Sequence, residues 1–285
     1  MIRHFLKLLC LLAFVPSKAQ APTEKSLLWE ISGNGLKTSY LFGTMHATCD
    51  ATLSPKVTEG LDNTQQLYLE LDMDDTSLQL QMMKGLNMAG GKKMSDLATP
   101  EDYATVDAFL KKNMGISLKT MNTLKPFFVS SLMITKLLDC PMLSIEQELM
   151  KKATESNKEV LGLETVDEQM SVFDAIPYEE QMKELVKTAK DDMANDKKEF
   201  QELYALYQKQ DLNGMLEMSK ESKNEMTSKF DAELLTNRNA NWIPRIIKIA
   251  TEKPTFFGVG AAHLGGEKGV IALLRKKGYT VKAVN

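Results

Sequence analysis

Histidine, cysteine and long apolar runs are scarce in this chain, and each scarcity narrows what it does. Three histidines occur among 285 residues, His4, His46 and His263. Three cysteines, Cys10, Cys49 and Cys140, form no Cys-x-x-Cys pair of the kind that marks zinc ribbons and dithiol redox sites. His-Glu-x-x-His, a Walker phosphate loop and a Gly-x-Ser-x-Gly elbow are all missing, which argues against zincins, P-loop enzymes and serine hydrolases. No excess of basic charge is present either: the formal net charge is -3. A mildly acidic protein is a poor partner for a phosphate backbone, so nucleic acid is not an expected ligand.

The longest apolar run lies at the start, and it reads as a leader. Arg3 and Lys7 precede an apolar run over 8–15, and Ser17-Lys18-Ala19 ends in small residues at cleavage spacing. Residues 1–19 are therefore expected to be a signal peptide, cut after Ala19 or alternatively Ala21. The run is too short to span a bilayer comfortably, and Leu9 before Cys10 does not suit a lipoprotein site. The expected product is exported, periplasmic or extracellular, with no stable membrane anchor. Removing Arg3, Lys7 and Lys18 with no acid takes the formal charge from -3 to -6. Cys49 and Cys140 then remain, either joined in one disulfide or buried as free thiols.

Both remaining histidines occupy one motif. Residues 41–49 read LFGTMHATC and residues 256–264 read FFGVGAAHL, each an apolar run followed by Gly-x-x-His, as Gly43 to His46 and Gly260 to His263. Glycine three residues before each histidine gives the backbone room to turn and approach a ligand at a strand end.

Around these motifs the pattern predicts an α/β fold. Residues 27–32 and 38–43 are β-like runs joined at Asn34-Gly35, a hairpin signal. Ser54-Pro55 opens a helix to about residue 64, and 67–71 is an apolar strand containing Glu70. Strand, helix, strand is a right-handed parallel crossover, whose ligand sites lie at the carboxyl ends of strands. Residues 255–260, 267–277 and 279–284 repeat strand, helix, strand.

Two related halves, 22–74 and 255–285, are thus expected to share one central mixed sheet, with 75–254 a mainly helical insertion capping it in a single domain over 20–285. Within that insertion, helices are expected from Thr99-Pro100-Glu101 through Leu110, over 122–138 and over 144–156. A strand over 158–164 ends in Glu164. Helical apolar spacing marks 178–220, and a long helix over 229–250 carries Arg238 and Asn239 near its middle and is stopped by Pro254. The 18 methionines are spread along the chain and read as gap fillers.

Two neutral imidazoles and a carboxylate at neighbouring strand ends suit an open divalent-metal site, so His46, Glu70 and His263 are the candidate ligands. Such a metal activates water for hydrolysis. Glu164 is a candidate fourth ligand, general base or outer anchor. Arg238 is a candidate for binding a substrate carboxylate or an oxyanion, with an ion pair to Glu164 or Glu70 as the equal alternative. Gly258 to His263 also resembles a dinucleotide fingerprint, but His263 replaces its third glycine and no acid follows about 20 residues on.

Residues 41–46 (LFGTMH), 69–72 (LELD), 161–169 (LGLETVDEQ), Arg238-Asn239 with Trp242, and 257–263 running on to 277–281 together resemble the TraB/GumN family, which includes the TIKI proteins. The resemblance spans nearly the whole chain after the leader. It implies a fold related to erythromycin esterases and haem-binding ChaN-like proteins, with the paired Gly-x-x-His motifs forming the active site. TIKI members are metal-dependent proteases favouring manganese or cobalt, so the resemblance implies a divalent metal, manganese or cobalt first and zinc or iron next. His46, Glu70 and His263 match the proposed active-site positions; Glu164, Arg238 and Asn239 match further motif positions. The middle region is shorter than the TIKI insertion, so the TIKI signalling substrate does not carry over. The leading expectation is an exported metallohydrolase acting on a peptide or small molecule. Alternatives are a binding protein for a peptide, haem or other small ligand, and a metal-free esterase with His46 as base.

Overall fold

The computed structural model describes residues 21–285; the expected leader over 1–19 lies outside them. Six strands form one mixed sheet: β1 (Leu28–Ser32), β2 (Ser39–Thr44), β3 (Gln66–Leu69), β4 (Glu159–Gly162), β5 (Thr255–Gly260) and β6 (Thr280–Ala283). Their spatial order is β4-β3-β5-β2-β1-β6. The hairpin signal at Asn34-Gly35 is realised, because Gly33, Asn34 and Gly35 all take positive φ, which glycine and asparagine tolerate. It pairs β1 and β2 antiparallel, with Leu28 opposite Phe42.

Parallel pairing joins β2 to β5, β5 to β3, and β3 to β4. Strand β5 sits at the centre, and its near-continuous apolar run TFFGVG is buried along all but its last residue, as a strand covered on both faces requires. The two halves interlock: β3 of the first lies beside β5 of the second, while β6 of the second lies beyond β2 with β1 between them.

The helical insertion packs a core of its own. Met88, Met94, Val106, Leu110, Leu118, Leu185 and their neighbours form a cluster separate from the sheet core of Trp29, Leu67, Trp242, Phe256 and Phe257. Met121, Met133, Met182 and Met193 are buried in that second cluster, where an unbranched thioether fills irregular gaps.

Two helices differ from the sequence expectation. The predicted helix over 122–138 is a short one, Pro126–Ser131, followed by a turn at Ile134–Lys136. Proline there opens the helix, where its missing N–H costs nothing, and does not lie inside it. The long helix predicted over 229–250 is instead Glu225–Lys229, a π-helical turn Ala232–Thr236, and Asn237–Glu252. Arg238 thus sits at the start of the helix Asn237–Glu252, not its middle.

Among the described residues, no helix is long and apolar enough to cross a membrane. Cys49 and Cys140 are joined, with Cα atoms 5.7 Å apart, which settles the choice between disulfide and free thiols.

Candidate active site

Four neighbouring parallel strands deliver four of the candidate residues to one edge of the sheet. Reading across β4, β3, β5 and β2, their carboxyl ends are followed by Glu164, Glu70, His263 and His46. Parallel strands point their carboxyl ends the same way, so residues far apart in sequence meet at one rim.

Both motif glycines have a steric reason. A Cβ on Gly43 would stand 3.0 Å from the Ala261 Cβ and the Leu264 Cδ1, so glycine lets the two Gly-x-x-His turns pack on one another. A Cβ on Gly260 would stand 3.3 Å from Glu70 Oε1, 3.6 Å from His263 Cδ2 and 3.8 Å from His46 Nε2. Gly260 therefore marks the space on which both imidazoles and the carboxylate converge.

Each imidazole is held through Nδ1. His263 Nδ1 lies 2.7 Å from Asn239 Oδ1, while Asn239 Nδ2 donates to the Lys268 carbonyl at 3.0 Å. That arrangement puts the His263 proton on Nδ1 and leaves Nε2 as an acceptor. The ring is buried, with Trp242 4.5 Å away between centroids. Burial, together with the Arg238 and His46 charges, overrides Glu70 and pushes the His263 pKa down to about 3, so this imidazole is neutral.

His46 Nδ1 lies 2.7 Å from Glu146 Oε1, whose other oxygen accepts from Ser144 Oγ at 2.6 Å. Desolvation opposes charge on His46, but the Glu146 hydrogen bond and carboxylate charge raise its pKa to about 9. With 70% of its side chain exposed, solvent screens that pair, and the Glu146 contact, more than burial, sets the direction. Its Nε2 lies 3.8 Å from where a Cβ on Gly260 would stand.

Arg238 ties the rest together, and all five of its N–H groups have protein acceptors. Nε donates to Glu164 at 3.2 Å, Nη1 to the Leu234 carbonyl at 3.0 Å and His263 Nε2 at 3.1 Å, and Nη2 to Glu70 Oε2 and Glu164 Oε1 at 2.5 Å each. The π-helical turn supplies that Leu234 carbonyl. Glu164 also accepts from Trp242 Nε1 at 3.1 Å and Gln169 Nε2 at 3.1 Å. Glu164 is thereby an anchor of the guanidinium, and the ion pair is the reading of Arg238 that the contacts match.

Glu70 Oε1 accepts from the Gly260 N–H at 2.8 Å. Burial would raise the Glu70 pKa, yet it lies below the usual carboxylate range. Because His263 is neutral, we assign that shift to the Arg238 and His46 charges and the Gly260 N–H more than to a charged His263. A cavity of about 230 Å³, walled by Asn237, Asn241, Trp242 and Arg245, reaches Glu164 and Arg238 from the helical side.

The donor set expected for a metal does not fit one as it stands. Among the described residues, no three His, Cys, Asp or Glu side chains are placed to hold an ion together. The physical reason is Arg238, which occupies the His263 Nε2 lone pair and Glu70 Oε2, so an ion would have to displace a guanidinium fixed by Glu164.

Sequence reasoning brought together His46, Glu70, Glu164, Arg238 and His263, and missed Glu146. The available signal was a carboxylate on the buried stripe of its helix, since Glu146 is buried with Leu149 and Ala153 at helical spacing.

A family model described as the TraB/PrgY/gumN family matches residues 27–283. No curated protein matches the chain, and no solved structure does.

Proposed function

The chain belongs to the TraB/PrgY/gumN family, and from that premise and the geometry of the strand-end site we propose that it is an exported hydrolase of peptide or ester carbonyls. The observation that carries the reading is the convergence of His46, Glu70 and His263 on Gly260, with His46 Nε2 making no hydrogen bond among the described residues in an otherwise internally bonded network. The disulfide supports export, since such bonds persist in oxidising compartments.

The chemistry follows from which groups are free. Neutral His46 takes a proton at Nε2 from a water as that water attacks the carbonyl carbon. It returns the proton to the leaving nitrogen or oxygen as the carbon–heteroatom bond breaks. Glu146 on Nδ1 matches the base-and-orienter pairing of hydrolytic triads. Arg238 has no spare N–H for an oxyanion; it contributes fixed positive charge beside the site and holds Glu70 and His263 in place. Because the His46 pKa is raised toward about 9, the neutral base is a minor species at pH 7, and turnover by this route rises with pH.

A peptide and ester substrate panel tests the proposal, run on the mature protein with chelator, with manganese and with cobalt, beside His46→Ala. Turnover in chelator that His46→Ala abolishes is the expected result. Turnover only with an added ion would replace this route with the metal chemistry that the family resemblance implies. No turnover in any condition, with a small molecule co-purifying, would make the protein a binder.

A further inference from the structure

The Glu146–His46 contact links the rim of the sheet to the helical insertion. Glu146 lies in the first turn of the helix Ile145–Glu155, its side chain only 5% exposed. A buried carboxylate needs partners for its lone pairs, and its two oxygens have them in His46 Nδ1 and Ser144 Oγ. Burial raises the Glu146 pKa and the His46 contact outweighs it, so the carboxyl lies below its ordinary range.

The backbone brings the two segments into register. Thr48 and Leu143 exchange N–H···O bonds of 3.0 and 2.9 Å, Ile145 N–H reaches the Met45 carbonyl at 3.4 Å, and Cys49 is bonded to Cys140. Residues 45–49 and 140–145 are thus joined by an isolated antiparallel bridge and a disulfide, with His46 in one segment and Glu146 following the other.

We propose that Glu146 is the positioning residue of His46: it fixes the proton on Nδ1 and turns Nε2 toward the Gly260 space. The inference deepens the hydrolase reading and rests on it only for its consequence in turnover; the positioning itself is a property of the resting protein. Without Glu146 the imidazole, largely exposed, has no other side-chain acceptor for Nδ1 among the contacts described, and its ring is free to present either nitrogen. For a base that must offer one nitrogen to a water, that loss lowers kcat more than KM.

The test reads the ring proton directly. Nitrogen-15 and proton NMR of the mature protein carries its own reference, because His263 Nδ1–H is held independently by Asn239. The expected native spectrum has two downfield, exchange-protected ring N–H signals. Glu146→Met, similar in bulk and without an acceptor, is expected to lose the His46 signal and keep that of His263. Glu146→Gln, whose amide oxygen still accepts, is expected to retain both. Where turnover is measurable, Glu146→Met should lower kcat at least tenfold with KM within twofold, and Glu146→Gln should restore part of it. Persistence of the His46 signal in Glu146→Met, or its absence from the native protein, would overturn the proposal. Loss of both signals in Glu146→Met would mean that Glu146 holds the whole site and not His46 alone, which also overturns it. Loss of the His46 signal alone, in a protein that hydrolyses nothing, would uphold the positioning role while removing the hydrolase reading.

Discussion

Arg238 is the residue on which the buried side of the site depends. Its side chain is 13% exposed and spans two sheltered carboxylates, Glu70 at 11% and Glu164 at 5%. A buried ion pair adds little net stability, but removing one member leaves an uncompensated charge and costs about 3–5 kcal/mol. Arg238→Met is therefore expected to lower the unfolding free energy by about 3–5 kcal/mol, since two carboxylates lose one cation. Arg238→Lys keeps the charge but loses the planar fork that reaches Glu164, Glu70 and His263 together, so an intermediate cost is expected. Urea unfolding of the three proteins checks the order; equal stabilities would show that Glu70 and Glu164 find other partners. Gly260 carries a second residue-scale prediction. A methyl there meets Glu70 Oε1 at 3.3 Å, within the space shared by both imidazoles, while φ of -50° is open to any residue. Gly260→Ala should therefore reduce turnover at least tenfold while shifting the unfolding midpoint by only a few degrees, and unchanged turnover would mean that nothing binds in that space.

Among the elements, the strands were the most legible in the sequence, for identifiable reasons. The β-like runs 27–32 and 38–43 about Asn34-Gly35, and the continuous apolar run before Gly260, are backbone signals that tertiary context did not override. Helices in the insertion were less legible because proline has two meanings: Pro126 opens a helix, whereas Pro244 sits inside one. Arg238 was read into the middle of a helix because the sequence does not announce the π-helical turn before it, and that turn supplies the Leu234 carbonyl to the guanidinium.

The helix Val166–Ala175 opens on a capping box, Thr165-x-x-Glu168, whose two hydrogen bonds both form. Glu168 also pairs with Arg245 at 2.5 Å. The Arg245 hydrogen bond, then the Thr165 N–H, lower its pKa to about 2. A depressed carboxyl pKa stabilises the fold fully above the ordinary value of 4.5 and loses that contribution as pH falls through about 2. With 43% of the side chain exposed, screening limits the effect to about 1 kcal/mol. Glu168→Gln should thus be less stable by about 1 kcal/mol at pH 7, with most of that difference gone by pH 2. Chemical denaturation at the two pH values measures this, and a pH-independent difference would assign the effect to shape and not charge.

At the scale of the whole molecule, the two histidines of the site come from opposite ends of the chain, and the sequence made that visible because the Gly-x-x-His motif is repeated. Glu146 stayed hidden because its position beside His46 depends on a contact between segments about 100 residues apart, which no local pattern encodes. The disulfide belongs to the same contact. Cys49 and Cys140 are 91 positions apart, and the enclosed segment contains β3 and the first part of the helical insertion. Cross-linking so long a loop restricts the unfolded chain far more than the folded one, and chain-entropy reasoning gives about 4.6 kcal/mol. The Cys49→Ser, Cys140→Ser double variant should therefore unfold about 4.6 kcal/mol more readily than the oxidised protein, and reduction of the parent with a dithiol should produce the same loss. If the variant matches the oxidised parent, the bridge at Thr48 and Leu143 holds the insertion to the sheet without help, and the bond is a consequence of that proximity. If it loses the full amount, sheet and cap depend on an oxidising environment for their union, and the compartment in which the chain folds becomes part of what specifies its site.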